Sequence, residues 1–423
     1  MQSNAIFFDV IVVGGGASGF FCAINMARLN PKLKIAIVEK HDKVLQKVKV
    51  SGGGRCNVTH YYNNKITMSN GYPRGKNFLK KGFYNFGNHN TIDWFSQRGV
   101  VLKTEADGRM FPTTDSSQTI IDCFLKEMDK YKVTLFLKQQ INSIEKVANN
   151  FLLKTNKDNT FNCNKIVVAI GGHQKVEQLL WLQNLKHIID PLLPSLFTFN
   201  LADKAITQLQ GLSMPNVTIR LPYNKLEATG PLLITHWGFS GPAVLKLSAF
   251  GAEWLHQCNY NTPFTIKWLG NLHNNKIAEA LKDAVNVSSN ALVVNRNPFE
   301  IPKRLWEWLC INVGVLPTHK WMDMGTTWQN KLLNILTNNA YNMLGKTTFK
   351  DEFVTCGGIS LLNINTTTME SNLQNNLYFV GEVLNVDGIT GGYNFQHAWT
   401  SGFLAATHIA TQTAIQTASQ IKN

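Results

Sequence analysis

Residues Asp9–Gly19 read DVIVVGGGASG, and their order decides the fold. Asp9–Val13 is a short run of Val and Ile, as a parallel strand covered on both faces should be. It ends in Gly14, Gly15, Gly16, Ala17, Ser18 and Gly19, which fit G-x-G-x-x-G, and Phe20–Leu29 (FFCAINMARL) then has helical periodicity. Gly14 permits the tight turn, Gly16 lets a pyrophosphate approach the backbone, and Gly19 lets the helix pack close to the strand. The phosphates would lie on the helix N-terminus, where free N–H groups and the macrodipole favour anions. A second strand, Lys34–Val38, ends in Glu39 and Lys40, with Glu39 twenty residues after Gly19. A carboxylate there accepts hydrogen bonds from an adenosine ribose, which favours FAD or NAD over NADP.

The chain has 423 residues, 44% hydrophobic and 16% charged, enough for two or three domains with a substantial core. Its net charge is +14. The densest basic stretches are Lys43/Lys47/Lys49/Arg55 and Arg74/Lys76/Lys80/Lys81, and no Lys/Arg run is interleaved with aromatics. Solvated surface plus phosphate attraction is therefore the expected role, and nucleic acid is not the expected partner. Seven cysteines without a C-x-x-C argue against a disulfide framework, a zinc ribbon or a dithiol centre, and no metal is expected. Reduced thiols fit a cytoplasmic protein. The N-terminus has no basic n-region, so its apolar run reads as a first strand rather than a signal peptide. No stretch is long and apolar enough to span a membrane.

Helical periodicity returns at Thr91–Arg98 and Ser116–Lys130, and strands are expected at Lys132–Leu137, Ile141–Val147, Phe151–Thr155 and Asn164–Ile170, the last running into Gly171-Gly172. Pro191 and Pro194 mark a change to short strands and turns (Phe197–Asn200, Asn216–Leu221, Leu232–Thr235). A helical section follows, clearest at Lys276–Val285, Lys303–Asn312 and Trp328–Leu344. Leu377–Val380 is a further buried strand ending in Gly381-Glu382, and a glycine-rich turn feeds a last helix over about Phe395–Thr411. The tail Thr413–Asn423 reads as polar and frayed. The expected architecture is α/β: a Rossmann-like domain begun by residues 1–190 and completed by 354–423. Residues 191–353 would be an insertion, β-rich over 191–270 and helical over 271–350.

Four separated, collinear segments together resemble the bacterial BaiN-like (YhiN-like) NAD(P)/FAD-dependent oxidoreductases. They are Gly14–Gly19 with Glu39; Lys47–Asn57 (KVKVSGGGRCN); Thr235–Pro242 (THWGFSGP); and Leu377–Gly402 (LYFVGEVLNVDGITGGYNFQHAWTSG), with Gly108–Thr113 in support. The resemblance implies FAD held non-covalently in a glutathione-reductase-type fold with an inserted domain, acting on small molecules that differ between members. It implies that Ile141 touches adenine through backbone atoms. It also puts Ile170 where the family usually has Thr, which leaves only a backbone role for Gly171 and Gly172.

The residues themselves point the same way. Ser51, Gly53, Arg55, Cys56 and Asn57 belong to a loop with flexible N–H groups and a cation, suited to an anionic or carbonyl-rich edge. Glu382, after Gly381, is placed to accept from ribityl hydroxyls. Asp387, Gly392, Tyr393 and Asn394 open the last helix, whose N-terminus would favour negative charge on a reduced flavin. His236, Ser240 and Tyr393 are the proton-transfer candidates, with His236 the best by type. No second G-x-G-x-x-G follows a strand, so electrons would come from transient nicotinamide docking, from another carrier, or from the substrate itself in an oxidase. The readings this leaves are an NAD(P)H-linked reductase of a small organic substrate, an amine- or ketone-type oxidase, a tRNA-modifying flavoprotein and a flavin-binding sensor without turnover.

Overall fold

Ile6–Val13 is the central strand of a mixed sheet. It runs parallel to Ile35–Val38 on one side and to Thr160–Val168 on the other, with Val10 opposite both Ile35 and Lys165. Thr134–Phe136 extends the sheet beyond Ile35–Val38, again parallel. The long strand Thr160–Val168 has two different neighbours along its other edge. Its first half pairs antiparallel with Asn150–Thr155, which continues into Ile141–Val147; its second half pairs parallel with Leu377–Phe379. Val10, Ile11, Val12, Ala36, Ile37, Val167 and Val168 are fully buried, which explains the unbroken apolar runs in the sequence.

This computed structural model describes residues 6–183, 185–348 and 354–421. They form two units, one holding the chain up to Pro194 and again from residue 354, the other Ser195 to Thr348. In the first unit the fingerprint helix Ala17–Leu29 packs along the final helix Tyr393–Ile421. Phe21 and Trp399 meet at 5.2 Å between ring centroids, and Trp94 and Phe124 close the cluster. All four are buried; each such aromatic contributes roughly 1.5–3 kcal/mol by leaving water. The final helix outruns the expected end at Thr411 and continues through the tail to Ile421. That segment contains Ala and Gln and neither Gly nor Pro to stop it; Lys422 and Asn423 lie outside the described residues.

The second unit is built on a closed antiparallel barrel. In order around it stand Thr198–Leu201, Gly238–Ser240, Leu226–Ile234, Ser213–Leu221, Asn261–Lys267 and Asn339–Thr347. Phe199, Phe239, Phe264, Ile266 and Trp268 are fully buried in its core, and helices Asn274–Val287, Lys303–Asn312 and Thr326–Asn338 accompany it. The helix expected over Trp328–Leu344 therefore ends six residues early, at Asn338, and the chain becomes a strand. Pairing decides this: Tyr341 faces Phe264, Met343 faces Thr262 and Leu201, and the barrel closes only through this strand.

Candidate functional site

Three of the glycine turns singled out in the sequence of the first unit stand at the carboxyl ends of parallel strands. Val13 leads to Gly14, Val168 to Gly171-Gly172, and Phe379 to Gly381; Val38 leads to Glu39 on the same edge. Open α/β sheets bind ligands there.

The first turn is shaped by close approach. Gly14 has φ +114°, and a Cβ on it would lie 2.4 Å from the carbonyl oxygen of Ala169. A Cβ on Gly19 would lie 2.1 Å from the oxygen of Gly14, so only glycine lets helix and strand come together. Gly16 is different: a Cβ there would meet nothing within 4 Å. No side chain caps the fingerprint helix and no acid stands in its first turn. The result is an open cradle at a helix N-terminus, suited to a pyrophosphate. Ala17 follows Gly16 into the helix, and Ser18 Oγ donates to the oxygen of Val380 at 3.4 Å, tying this turn to the Gly381 turn.

Glu39 is buried, and it organises the neighbouring backbone. One carboxylate oxygen accepts from Gly15 N (2.7 Å) and the other from His41 N (2.8 Å). Each oxygen keeps a second lone pair for a ribose hydroxyl. Lys40 is exposed beside it, and Ile141 is buried at the start of its strand. Ser51–Gly54 ends the helix Gln46–Gly54 in non-helical geometry, with Gly53 at φ +67° and open space around it. Cys56 is buried at φ +60°, and burial pushes its thiol up to about 12, so it is no nucleophile here. Asn57, with its amide oriented to satisfy both ends, accepts from Gly392 N at 3.2 Å and donates to Thr59 O at 3.0 Å. This joins the SGGGRCN loop to the turn before the last helix.

Several expected ligand residues have protein partners. Arg55 pairs with Glu105 (2.7 Å) and lies 3.9 Å over the Phe111 ring. Glu382 accepts from Lys47 Nζ at 2.6 Å and from Thr355 N at 3.1 Å. Burial opposes its charge, but the Lys47 ammonium and the Thr355 and Gly172 amides outweigh that and hold the carboxyl below its usual range. Asp387 is fully buried and engages Arg74 through both carboxylate oxygens. Asn394 pins the turn by accepting from Gly388 N (2.8 Å) and donating to Gly388 O (3.0 Å). These residues hold the glycine turns in place around the cradle.

Tyr393 is buried on Gly71, with its hydroxyl 2.6 Å from that of Tyr62. Burial raises its hydroxyl above the ordinary tyrosine range. His60 stacks on Tyr62 and its Nδ1 lies 2.9 Å from Gly391 O. His60, Tyr62 and Tyr72 are absent from the sequence reading, which names Arg74 only as part of a basic stretch; the only signal was their place in the GYPRG and THYY segments near the resemblance motifs. His236 and Ser240 belong to the second unit. His236 is exposed, its ring tilted against Trp237 at 4.4 Å between centroids, and it makes no hydrogen bond among the described residues; Ser240 Oγ accepts from Thr198 at 3.1 Å. Phe239 is barrel core.

The residues present fit a bound dinucleotide. Gly16, Gly53 and Gly171 each face open space, and the Gly14–Gly16, Gly171–Gly172 and Gly381 turns share one edge of one sheet. The described residues hold no cluster of metal-ligating side chains and no helix long and apolar enough to cross a membrane.

Residues 8–408 match the family described as "HI0933-like protein Rossmann domain". A protein named ribosomal RNA dihydrouridine synthase from Haemophilus influenzae is 30% identical over 421 residues, covering 95% of this chain and 98% of that protein. A 3-dehydro-bile acid delta(4,6)-reductase from Clostridium scindens is 24% identical and covers 93% of this chain and 97% of its own. Among solved structures, 3-ketosteroid-delta4-(5alpha)-dehydrogenase from Rhodococcus jostii RHA1 superposes with a TM-score of 0.52 at 11% identity, over 96% of this chain and 98% of that one, a likeness of fold. With a family match over nearly its whole length and a cradle built for a dinucleotide, the chain belongs to the HI0933-like family of FAD-dependent oxidoreductases.

Proposed function

We propose that this protein reduces a carbon–carbon double bond conjugated to a carbonyl, with electrons from NADH or NADPH, and that the bond belongs to a uracil ring in RNA. One observation carries the reading: two full-length relatives with unrelated substrates are named for one reaction, the addition of hydrogen to a ring double bond. The net charge of +14 favours a polyanionic carrier over a free small molecule. FAD, when bound, supplies hydride chemistry at N5. Gly14–Gly19 and Glu39 would hold its adenosine diphosphate half. Gly53, Gly171 and the Gly381–Asn394 turns would frame the rest. By residue type alone, His236 is the candidate for the proton that completes the reduction. A free cyclic enone is the second reading, favoured by the bile acid reductase and by the absence of a Lys/Arg run interleaved with aromatics.

The test is anaerobic. NADPH or NADH should bleach the flavin absorbance of purified protein, and a uridine-containing ribosomal RNA fragment should restore it with formation of dihydrouridine. Restoration by a steroid enone and not by RNA would move the assignment to the second reading. A flavin that nicotinamide never bleaches would remove both.

A further inference from the structure

The sequence contains a charge segregation that its local runs hide. From Lys43 to Ile92, fifty residues carry nine Lys or Arg and not one Asp or Glu. Three of these cations reach out to carboxylates elsewhere: Lys47 to Glu382, Arg55 to Glu105 and Arg74 to Asp387. Lys76, Lys80 and Lys81 do not; among the described residues none is within ion-pair distance of a carboxylate. They line the exposed side of the helix Lys76–Asn85, whose other side buries Phe78, Leu79 and Phe83. Lys76, Lys80 and Tyr84 are spaced four apart and so share one face. Tyr84 is 63% exposed.

This face adjoins the candidate site. Arg74 and Gly75 immediately precede the helix; Arg74 binds Asp387, and a Cβ on Gly75 would strike Val386 at 2.6 Å. The helix is thus anchored to the very turn, Asp387–Asn394, that opens the last helix. A row of solvated lysines with a projecting aromatic ring is what single-stranded nucleic acid uses: ammonium groups take phosphates and the ring stacks on a base.

We propose that the Lys76/Lys80/Lys81/Tyr84 face is the docking surface for single-stranded or looped RNA, which it holds beside the Asp387–Asn394 turn. The proposal rests on RNA being the carrier of the reduced ring. The experiment measures binding of a fluorescent, uridine-containing single-stranded RNA to the FAD-loaded full chain by anisotropy across a salt series. Converting Lys76, Lys80 and Lys81 together to Gln should lower the log–log salt slope by roughly 2–3. Tyr84→Ala should weaken binding about fivefold or more. Both variants should keep the flavin content and the rate of flavin bleaching by NADPH, since all four side chains lie on the exposed side of the helix. Substituting Lys282 and Lys303, exposed in the second unit, should change little. A wild-type slope in the triple variant, or an equal loss in the Lys282/Lys303 control, would overturn this surface while leaving RNA as carrier. Absence of RNA binding by the wild type even at low salt, or association with anionic vesicles in its place, would overturn the RNA reading itself.

Discussion

Gly16 is where the cradle can be probed without disturbing the fold. In Gly16→Ala the new methyl meets no protein atom within 4 Å, and the backbone, at φ −92° and ψ −172°, suits alanine. Two small effects on the apoprotein oppose each other. Alanine is a poorer helix N-cap than glycine by about 0.5–1 kcal/mol, while the stiffer unfolded chain returns about 0.4–1 kcal/mol. The net is below about 1 kcal/mol, which for a unit of this size moves Tm by no more than about 3 °C. The methyl nevertheless occupies the volume through which a pyrophosphate approaches the N–H groups. Losing even one charge-assisted hydrogen bond costs about 1.5–3 kcal/mol, so Kd for FAD should rise roughly 10- to 150-fold. Apoprotein titrated with FAD, followed by flavin fluorescence quenching alongside a thermal melt, measures both quantities. Gly19→Ala is the contrast: its Cβ would sit 2.1 Å from Gly14 O, so there Tm itself should fall. Wild-type FAD affinity in Gly16→Ala, or an apoprotein Tm that drops with the affinity, would refute the assignment of this space to phosphate.

Arg74→Ala leaves the fully buried Asp387 without its cation and should destabilise the protein by roughly 3–5 kcal/mol; an unchanged Tm would mean the pair contributes nothing to the turn. His173 and His397 should make the protein acid-sensitive. Burial pushes both imidazoles down to about 4 from the usual 6.5 or so, so the unfolded chain takes up protons first and stability, full above about pH 6.5, is lost as pH falls towards 4. At pH 5 the loss is about 2 kcal/mol per histidine, and a Tm that stays flat from pH 7 to pH 5 would contradict it. His236→Ala should lower turnover roughly 10²- to 10⁴-fold with Tm and flavin content unchanged, because the ring is exposed and bonded to nothing among the described residues; unaltered turnover removes it from the chemistry.

The parts legible in the sequence were those whose physics is local. A glycine turn between strand and helix announces itself because close approach and positive φ act on consecutive residues, as at Gly14 and Gly19. The parts that escaped depend on partners far away in the chain. Asp387 resembled a ligand residue until Arg74, more than three hundred positions earlier, was seen to engage it. The sequence reading places no helix over Lys76–Asn85, which contains Gly82; a Cβ on that glycine would stand 3.0 Å from Thr400 of the last helix. The strand Asn339–Thr347 reads as the continuation of a helix because only its barrel neighbours make it extended. The acid-free basic segment shows in the sequence only when missing residues are counted along with present ones.

The two neighbours of Thr160–Val168 impose an order on how the protein is made. Its first half is satisfied at once by the adjacent hairpin, but the edge at Ile166–Val168 waits for Leu377–Phe379, about two hundred residues later in synthesis. At roughly 5–20 residues per second, a ribosome takes about ten to forty seconds to deliver them. Throughout that interval the nascent chain displays an unpaired apolar strand edge and lacks one wall of its cofactor cradle. The barrel, encoded in between, is made before that edge is covered. Cofactor capture is thereby deferred to the close of translation, and truncations short of Leu377 should yield colourless, aggregation-prone chains rather than partly active ones.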